Sequence, residues 1–299
     1  LRIIRKFFVW CNANKIPLRL PFHSSVVALY LHSEAERIRS NSTIIVTSAA
    51  LKWLHGFCPE TNVNPLNTEF CKHVIEAAKR TATESIRKKK PLTPQAIRDN
   101  IDKFGRNNNN LKDLRVAALC TLGFAGFFRY DELKNMRPCH ITICDNHIKI
   151  LVPKSKTDMY REGKFVYIRK TDTEYCPVAM LLRYIKAARI DLTDTLPLFR
   201  SLTFLKKSRT YSLRRTELSY SRCREIFNEA LKAIGYDVKE YGLHSLRAGG
   251  ITSVVQNSNN TVPERLLKLH GRWKADVAKD MYVQESVSKR LEVTSFLGL

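Results

Sequence analysis

The segment RKKKPLTP, from Arg87 to Pro94, divides this chain in two. It joins a run of basic residues to two prolines. A packed core does not absorb such a run, whereas a linker does. It predicts a helical domain over 1–86, a basic linker at 87–93 and a second domain over 94–299. A chain of 299 residues suits one large domain or two ordinary ones. A hydrophobic fraction of 44% supplies core material and excludes general disorder.

Before the linker, four amphipathic stretches recur between polar or proline-containing breaks. The first lies near Arg2 to Asn14 and stops before Pro17. The second starts at an N-cap of Ser24 or Ser25 and runs through VVALYLHSEAERI. The third, TIIVTSAALKWLHGF, ends near Gly56 and Pro59, and the fourth, NTEFCKHVIEAAKRTA, follows Pro65. Together they predict a helical bundle with Trp53, Leu54 and Phe57 in its core.

After the linker, Thr93 is placed to cap a helix whose first turn holds Pro94. An apolar helix pair, LKDLRVAALCTLGFAGFFRYDELKNM, follows an Asn-rich break. The period then switches to two. HITIC, HIKILVP and KFVYIRK alternate like strands, joined by Asp145-Asn146 and by KSKTDMYREG, and predict a three-stranded antiparallel meander. From Pro177 the pattern returns to helices. The expected fold is mainly α with a small antiparallel β-sheet: a helical N-terminal domain and an α+β second domain.

The net charge of +23, from 51 Lys and Arg against 28 Asp and Glu, points to a polyanionic partner. Nucleic acid fits better than a membrane. No apolar run approaches the roughly 18 residues needed to span a bilayer, and the basic residues alternate with apolar ones throughout. The chain starts at Leu1 without an initiator Met, as a fragment or excised domain would. LRIIRKFFVW lacks the small-residue cleavage site of a signal peptide. Eight scattered cysteines fit a reducing, intracellular compartment. Cys139, His140, Cys144 and His147 have a zinc-like composition. Strand alternation sends neighbours there to opposite faces, so no metal site is expected.

Several separated residues suit one chemistry. Arg129 and Glu132 in FFRYDEL share a helical face. His244 and Arg247, three apart in GLHSLRAGG, also share one and can address a single phosphate. The small run Ala248, Gly249 and Gly250 beside them lets a backbone or DNA come close. Trp273 precedes Tyr282 by nine residues. Two arginines, a histidine, a lysine and a late tyrosine can hold a phosphodiester, neutralise it and attack it with a phenol oxygen.

The order Arg129, Lys156, His244-x-x-Arg247, Trp273, Tyr282 resembles that of the tyrosine recombinases, the phage-type integrases. Arg129, Glu132 and Leu133 match the family's R-x-x-E-L, and His244 and Arg247 match its H-x-x-R. Ser155-Lys156-Thr157 matches the pattern around its lysine in the loop between the second and third strands. Trp273 stands where the family has His or Trp, and His270, three before it, reads as a local packing contact. The resemblance implies an N-terminal core-binding domain and a catalytic domain that together clamp duplex DNA. It implies a Tyr282 nucleophile, phosphate contacts from Arg129 and Arg247, Glu132 steadying Arg129, and a further donor in Trp273. His244 would position the phosphate or accept the tyrosine proton, and Lys156 would act as general acid. It also implies a covalent 3′-phosphotyrosine intermediate, no metal or other cofactor, and a homotetramer on DNA, in the nucleus if the host is eukaryotic and otherwise in the cytoplasm. Further phosphate contacts are expected from Arg87, Lys88, Lys89, Lys90, Lys154 and Arg161. Two alternatives share the charge: a type IB topoisomerase, and a domesticated DNA-binding protein that no longer cuts.

Overall fold

The computed structural model describes residues 1–38, 40–59, 63–81, 88–155, 158, 162–258 and 261–284. The chain forms two compact units, Leu1–Arg87 and Lys88–Leu299.

The first unit holds α1 (Arg2–Ala13), α2 (Ser24–Ile38), α3 (Asn41–His55) and α4 (Glu69–Thr81). All four were legible in the hydrophobic period. Phe7, Phe22, Tyr30, Leu31 and Leu51 form the core, and Phe7 packs edge-on against Phe22 at 4.8 Å. The expectation for Trp53 and Phe57 is overturned: they are 57% and 68% exposed. On α3 the buried positions are Ile44, Thr47, Leu51 and His55. Trp53 lies off that stripe and stacks edge-on against Phe57 at 4.6 Å.

The second unit runs α5 (Pro94–Asn100), α6 (Leu111–Ala125), α7 (Tyr130–Lys134), β1 (Ile141–Ile143), β2 (His147–Val152), β3 (Lys164–Arg169) and α8 (Pro177–Ala187). It continues through β4 (Arg200–Leu205), β5 (Thr210–Glu217), α9 (Tyr220–Ala233), α10 (His244–Asn257), α11 (Glu264–Gly271) and α12 (Asp276–Asp280). Thr93 caps α5 as expected, its hydroxyl accepting from the Ala96 N–H at 3.2 Å. The meander also forms, antiparallel in the order β1-β2-β3. Alternation along β2 and β3 sends Ile148, Ile150, Val152, Val166 and Ile168 into the core. There they join α6, which is buried nearly all round.

Lys88 to Thr93, read from sequence as linker, belong to the second unit. The Lys90 amide donates to the Glu240 carbonyl at 2.8 Å, and the Leu92 amide to that of Ser245 at 3.0 Å. The Leu92 side chain is buried. A β-carbon at Gly249 would lie 2.2 Å from the Leu92 oxygen, and one at Gly250 would lie 2.3 Å from that of Phe124. The close approach foreseen for this small run is therefore by backbone.

The sequence reading missed the β4–β5 hairpin. Its strands pair antiparallel, Leu202 with Leu213 and Phe204 with Tyr211. Leu202, Tyr211 and Leu213 pack toward the core. The connection KKSR has none of the Asn-Gly or Asp-Gly signals that mark hairpins, and the sequence pattern assigns no element to this segment.

Candidate active site

Five segments of the second unit converge. The loop after α6 brings Phe127, Phe128 and Arg129. The one-turn helix α7 brings Glu132, α10 brings His244 and Arg247, and the turn after α11 brings Arg272 and Trp273. Tyr282 follows α12 on a turn closed by its own N–H to the Lys279 carbonyl, 2.9 Å. Thr252 of α10 ties that turn down, its hydroxyl donating to the Tyr282 carbonyl at 3.2 Å.

Glu132 is the electrostatic hub and is only 4% exposed. One carboxylate oxygen accepts from Arg129 Nη1 at 3.0 Å. The other accepts from the Arg129 backbone N–H at 2.9 Å, which caps α7. Arg272 Nη2 donates to that second oxygen at 2.7 Å, and Arg247 Nη1 lies 3.9 Å from it. Burial alone would raise the Glu132 carboxyl. The charge and hydrogen bond of Arg272, then Arg129 and Arg247, overcome it and hold the group below the usual carboxylate range.

Arg247 is fully buried. It donates to the carbonyls of Phe127 and Gly271, and its guanidinium lies over the Trp273 ring at 4.1 Å and the Tyr282 ring at 5.1 Å. Its Nε–H is buried with no partner among the described residues, as is the Trp273 indole N–H. Burial, followed by the charges of Arg129 and Arg272, pushes Arg247 down to about 9. Three guanidiniums around one carboxylate, with two unused buried donors beside them, leave the site short of an anion.

The structure thus brings Arg129, Glu132, His244, Arg247, Trp273 and Tyr282 into one place. The Trp273 and Tyr282 rings are 5.7 Å apart, and those of His244 and Tyr282 are 6.4 Å apart. His270 turns away and bonds the Ala125 carbonyl at 2.9 Å, its ring edge-on to Phe127 at 4.6 Å. Burial lowers its pKa, which favours the neutral imidazole there. Lys156, Arg161 and Arg87 lie outside the described residues. Lys88, Lys89, Lys90 and Lys154 are exposed. Lys90 is already paired with Glu240 at 2.6 Å, and the Lys89 ammonium donates to the Lys239 carbonyl.

The residue that sequence reasoning missed is Arg272. It terminates α11 in the left-handed region, φ 59° and ψ 38°, where an L-residue costs about 1–2 kcal/mol. Its side chain is nevertheless fully buried. Nothing in HGRWKAD marks it except a bulky residue at a helix C-cap, where glycine is the usual choice.

In sequence the chain is similar to an integrase/recombinase, and in fold to site-specific recombinases and integrases. No family model matches it. An integrase/recombinase xerD homolog of Selenomonas ruminantium is 28% identical over 255 residues, 84% of this chain and 71% of that protein. Among solved structures, the XerH site-specific recombinase bound to its palindromic difH substrate superposes with a TM-score of 0.67 at 13% identity, over 98% of this chain and 76% of that one. The Tn1549 transposon integrase in complex with transposon right-end DNA gives 0.63 at 13% identity, over 99% and 91%. A λ integrase dimer on a core site gives 0.58 at 14%, over 96% and 89%.

Proposed function

We propose that this chain is a site-specific DNA recombinase that cleaves and rejoins strands through a covalent 3′-phosphotyrosine at Tyr282. The observation that carries this reading is the anion-deficient cluster of Arg129, Arg247 and the Trp273 N–H beside the Tyr282 ring. It supplies donors for two non-bridging oxygens and a nucleophile next to them. The recombinase and integrase relatives, several solved on DNA, support it.

In this mechanism the phenol oxygen attacks phosphorus and the bond to the 5′ oxygen breaks. The phosphate stays on Tyr282, and the 5′ oxygen takes a proton from Lys156. His244 positions the phosphate or accepts the phenol proton. Arg247, 5.1 Å from the ring, stabilises the negative charge that develops. The phosphodiester energy is kept, so a 5′ hydroxyl from another strand reverses the step. The two units would clamp the duplex, and a homotetramer would pair two duplexes, with Lys88, Lys89, Lys154, Arg87 and Arg161 on phosphates. Such a protein works where DNA is: inside the cell, and in the nucleus of a eukaryotic host. A nicked duplex should become attached to the protein through a 3′ phosphate, leaving a free 5′ hydroxyl. The same duplex with Tyr282→Phe should bind and leave nothing attached. Binding without attachment by the natural chain would favour the non-cutting DNA-binding protein.

The β4–β5 hairpin extends the DNA face in this reading. Lys206, Lys207, Arg209, Arg214 and Arg215 form no ion pair among the described residues, and the hairpin's one acid, Glu217, is held by Lys134 at 2.9 Å. Its base is rooted beside Arg129, where the Tyr130 hydroxyl donates to the Leu218 carbonyl at 2.8 Å. A two-stranded ribbon fits a DNA groove. Replacing those five with Gln should flatten the salt dependence of DNA binding by about 0.9 in log–log slope for each phosphate they no longer neutralise. An unchanged slope would remove the hairpin from the interface.

A further inference from the structure

We infer that Arg272 is a positioning residue: it fixes Glu132, and through Glu132 it sets where Arg129 and Arg247 hold their guanidiniums. This rests on the strand-cleavage reading above.

Arg272 does not touch substrate in this account, because its donors are spent. A guanidinium has five N–H bonds, and each finds an acceptor. Nε donates to Glu132 Oε1 at 3.4 Å and Nη2 to Glu132 Oε2 at 2.7 Å. Nη2 also donates to the Phe127 carbonyl at 2.8 Å. Nη1 donates to the Gly126 carbonyl at 3.1 Å and the His270 carbonyl at 2.6 Å. The guanidinium lies over the Phe128 ring at 4.9 Å. Arg247, by contrast, keeps a buried Nε–H without a partner among the described residues.

Those acceptors sit on the segments that carry the site. Gly126 and Phe127 lead into Arg129, Glu132 holds Arg129, and His270 leads into Trp273. Phe127 presents its one carbonyl to both Arg247 and Arg272. Arg272 therefore joins the loop before α7 to the turn after α11. Its bond to Glu132 Oε2 also keeps that carboxylate from closing the 3.9 Å gap to Arg247. Without it, Glu132 would swing to pair Arg247 and release Arg129. The backbone at Arg272 is left-handed. Glycine would suit it better, so the arginine is there for its side chain. A lysine has the charge but gathers its donors on one nitrogen and cannot span both carboxylate oxygens and three carbonyls.

The test uses the full chain with Arg272→Gly and Arg272→Lys, a nicked duplex, and two readouts: single-turnover adduct formation and equilibrium DNA affinity. Arg272→Gly should slow adduct formation by about 100-fold or more, with affinity within about threefold, because most of the proposed phosphate contacts lie outside this cluster. Low concentrations of guanidinium ion should restore part of the rate, and equal urea should not. Arg272→Lys should stay folded and slow the step by roughly tenfold or more. Cleavage by Arg272→Gly near the natural rate overturns the inference. So does a parallel loss of rate and affinity without guanidinium rescue, which would mark a merely structural residue. Should Arg272→Gly fail to fold, Arg272→Lys decides, and a natural rate from it overturns the inference. No adduct from the natural chain would instead overturn the recombinase reading itself.

Discussion

Glu132→Gln is expected to cost the second unit roughly 3–5 kcal/mol of stability, as removal of one partner of a buried charge network does, and nearly all strand cleavage with it. The carboxylate is the anion that Arg247 and Arg272 share. The amide is nearly the same shape but leaves three guanidiniums uncompensated. It also points N–H bonds where Arg129 and Arg272 already donate. Denaturant unfolding followed on the transition of the second unit measures the effect, since two units need not unfold together. The sign with pH follows from the lowered Glu132 carboxyl. Its stabilisation is present above the ordinary carboxylate range and lost as pH falls through its folded-state value. The gap between the natural chain and Glu132→Gln should therefore narrow in acid. A variant as stable as the natural chain at neutral pH would show that the hub does not hold the site together.

Arg247→Ala is expected to lose chemistry by more than its effect on the fold explains. Removing a preorganised donor aimed at developing charge costs about 10²–10³ in rate. A charged donor over the Tyr282 ring should reach or exceed the upper end. Stability should fall as well, because the truncation empties a fully buried position and takes the donor from the Gly271 carbonyl. Arg247→Lys should recover only part of the rate, since one ammonium cannot bridge the Phe127 and Gly271 carbonyls as the guanidinium does. Single-turnover cleavage beside a melting curve separates the two effects. Cleavage by Arg247→Ala within about tenfold of the natural chain, far short of the loss of a donor of this kind, would remove Arg247 from the phosphate site.

The residues on strongly periodic helices or in spaced pairs were legible in the sequence. His244 and Arg247 lie one turn apart on α10, and Arg129 and Glu132 bracket the first turn of α7. Trp273 is separated from His270 by its spacing to Tyr282, and the structure seats it against both Arg247 and that tyrosine. What stayed hidden depended on tertiary contacts. Arg272 gives no local sign that its side chain folds back onto Glu132, 140 residues earlier in the chain. Trp53 and Phe57 are large and apolar yet face outward, since which face of α3 is buried is settled by its neighbours. The β4–β5 hairpin lacks turn chemistry strong enough to announce itself.

The most direct test locates the covalent bond. A nicked duplex is incubated with the natural chain, and the denatured product is digested with trypsin and nuclease. The remaining nucleotide is then mapped by mass spectrometry. A 3′-linked nucleotide is expected on Tyr282, in the peptide from Asp280 to Lys289, and none when Tyr282 is Phe. A nucleotide on any other residue, or persisting in Tyr282→Phe, would contradict it.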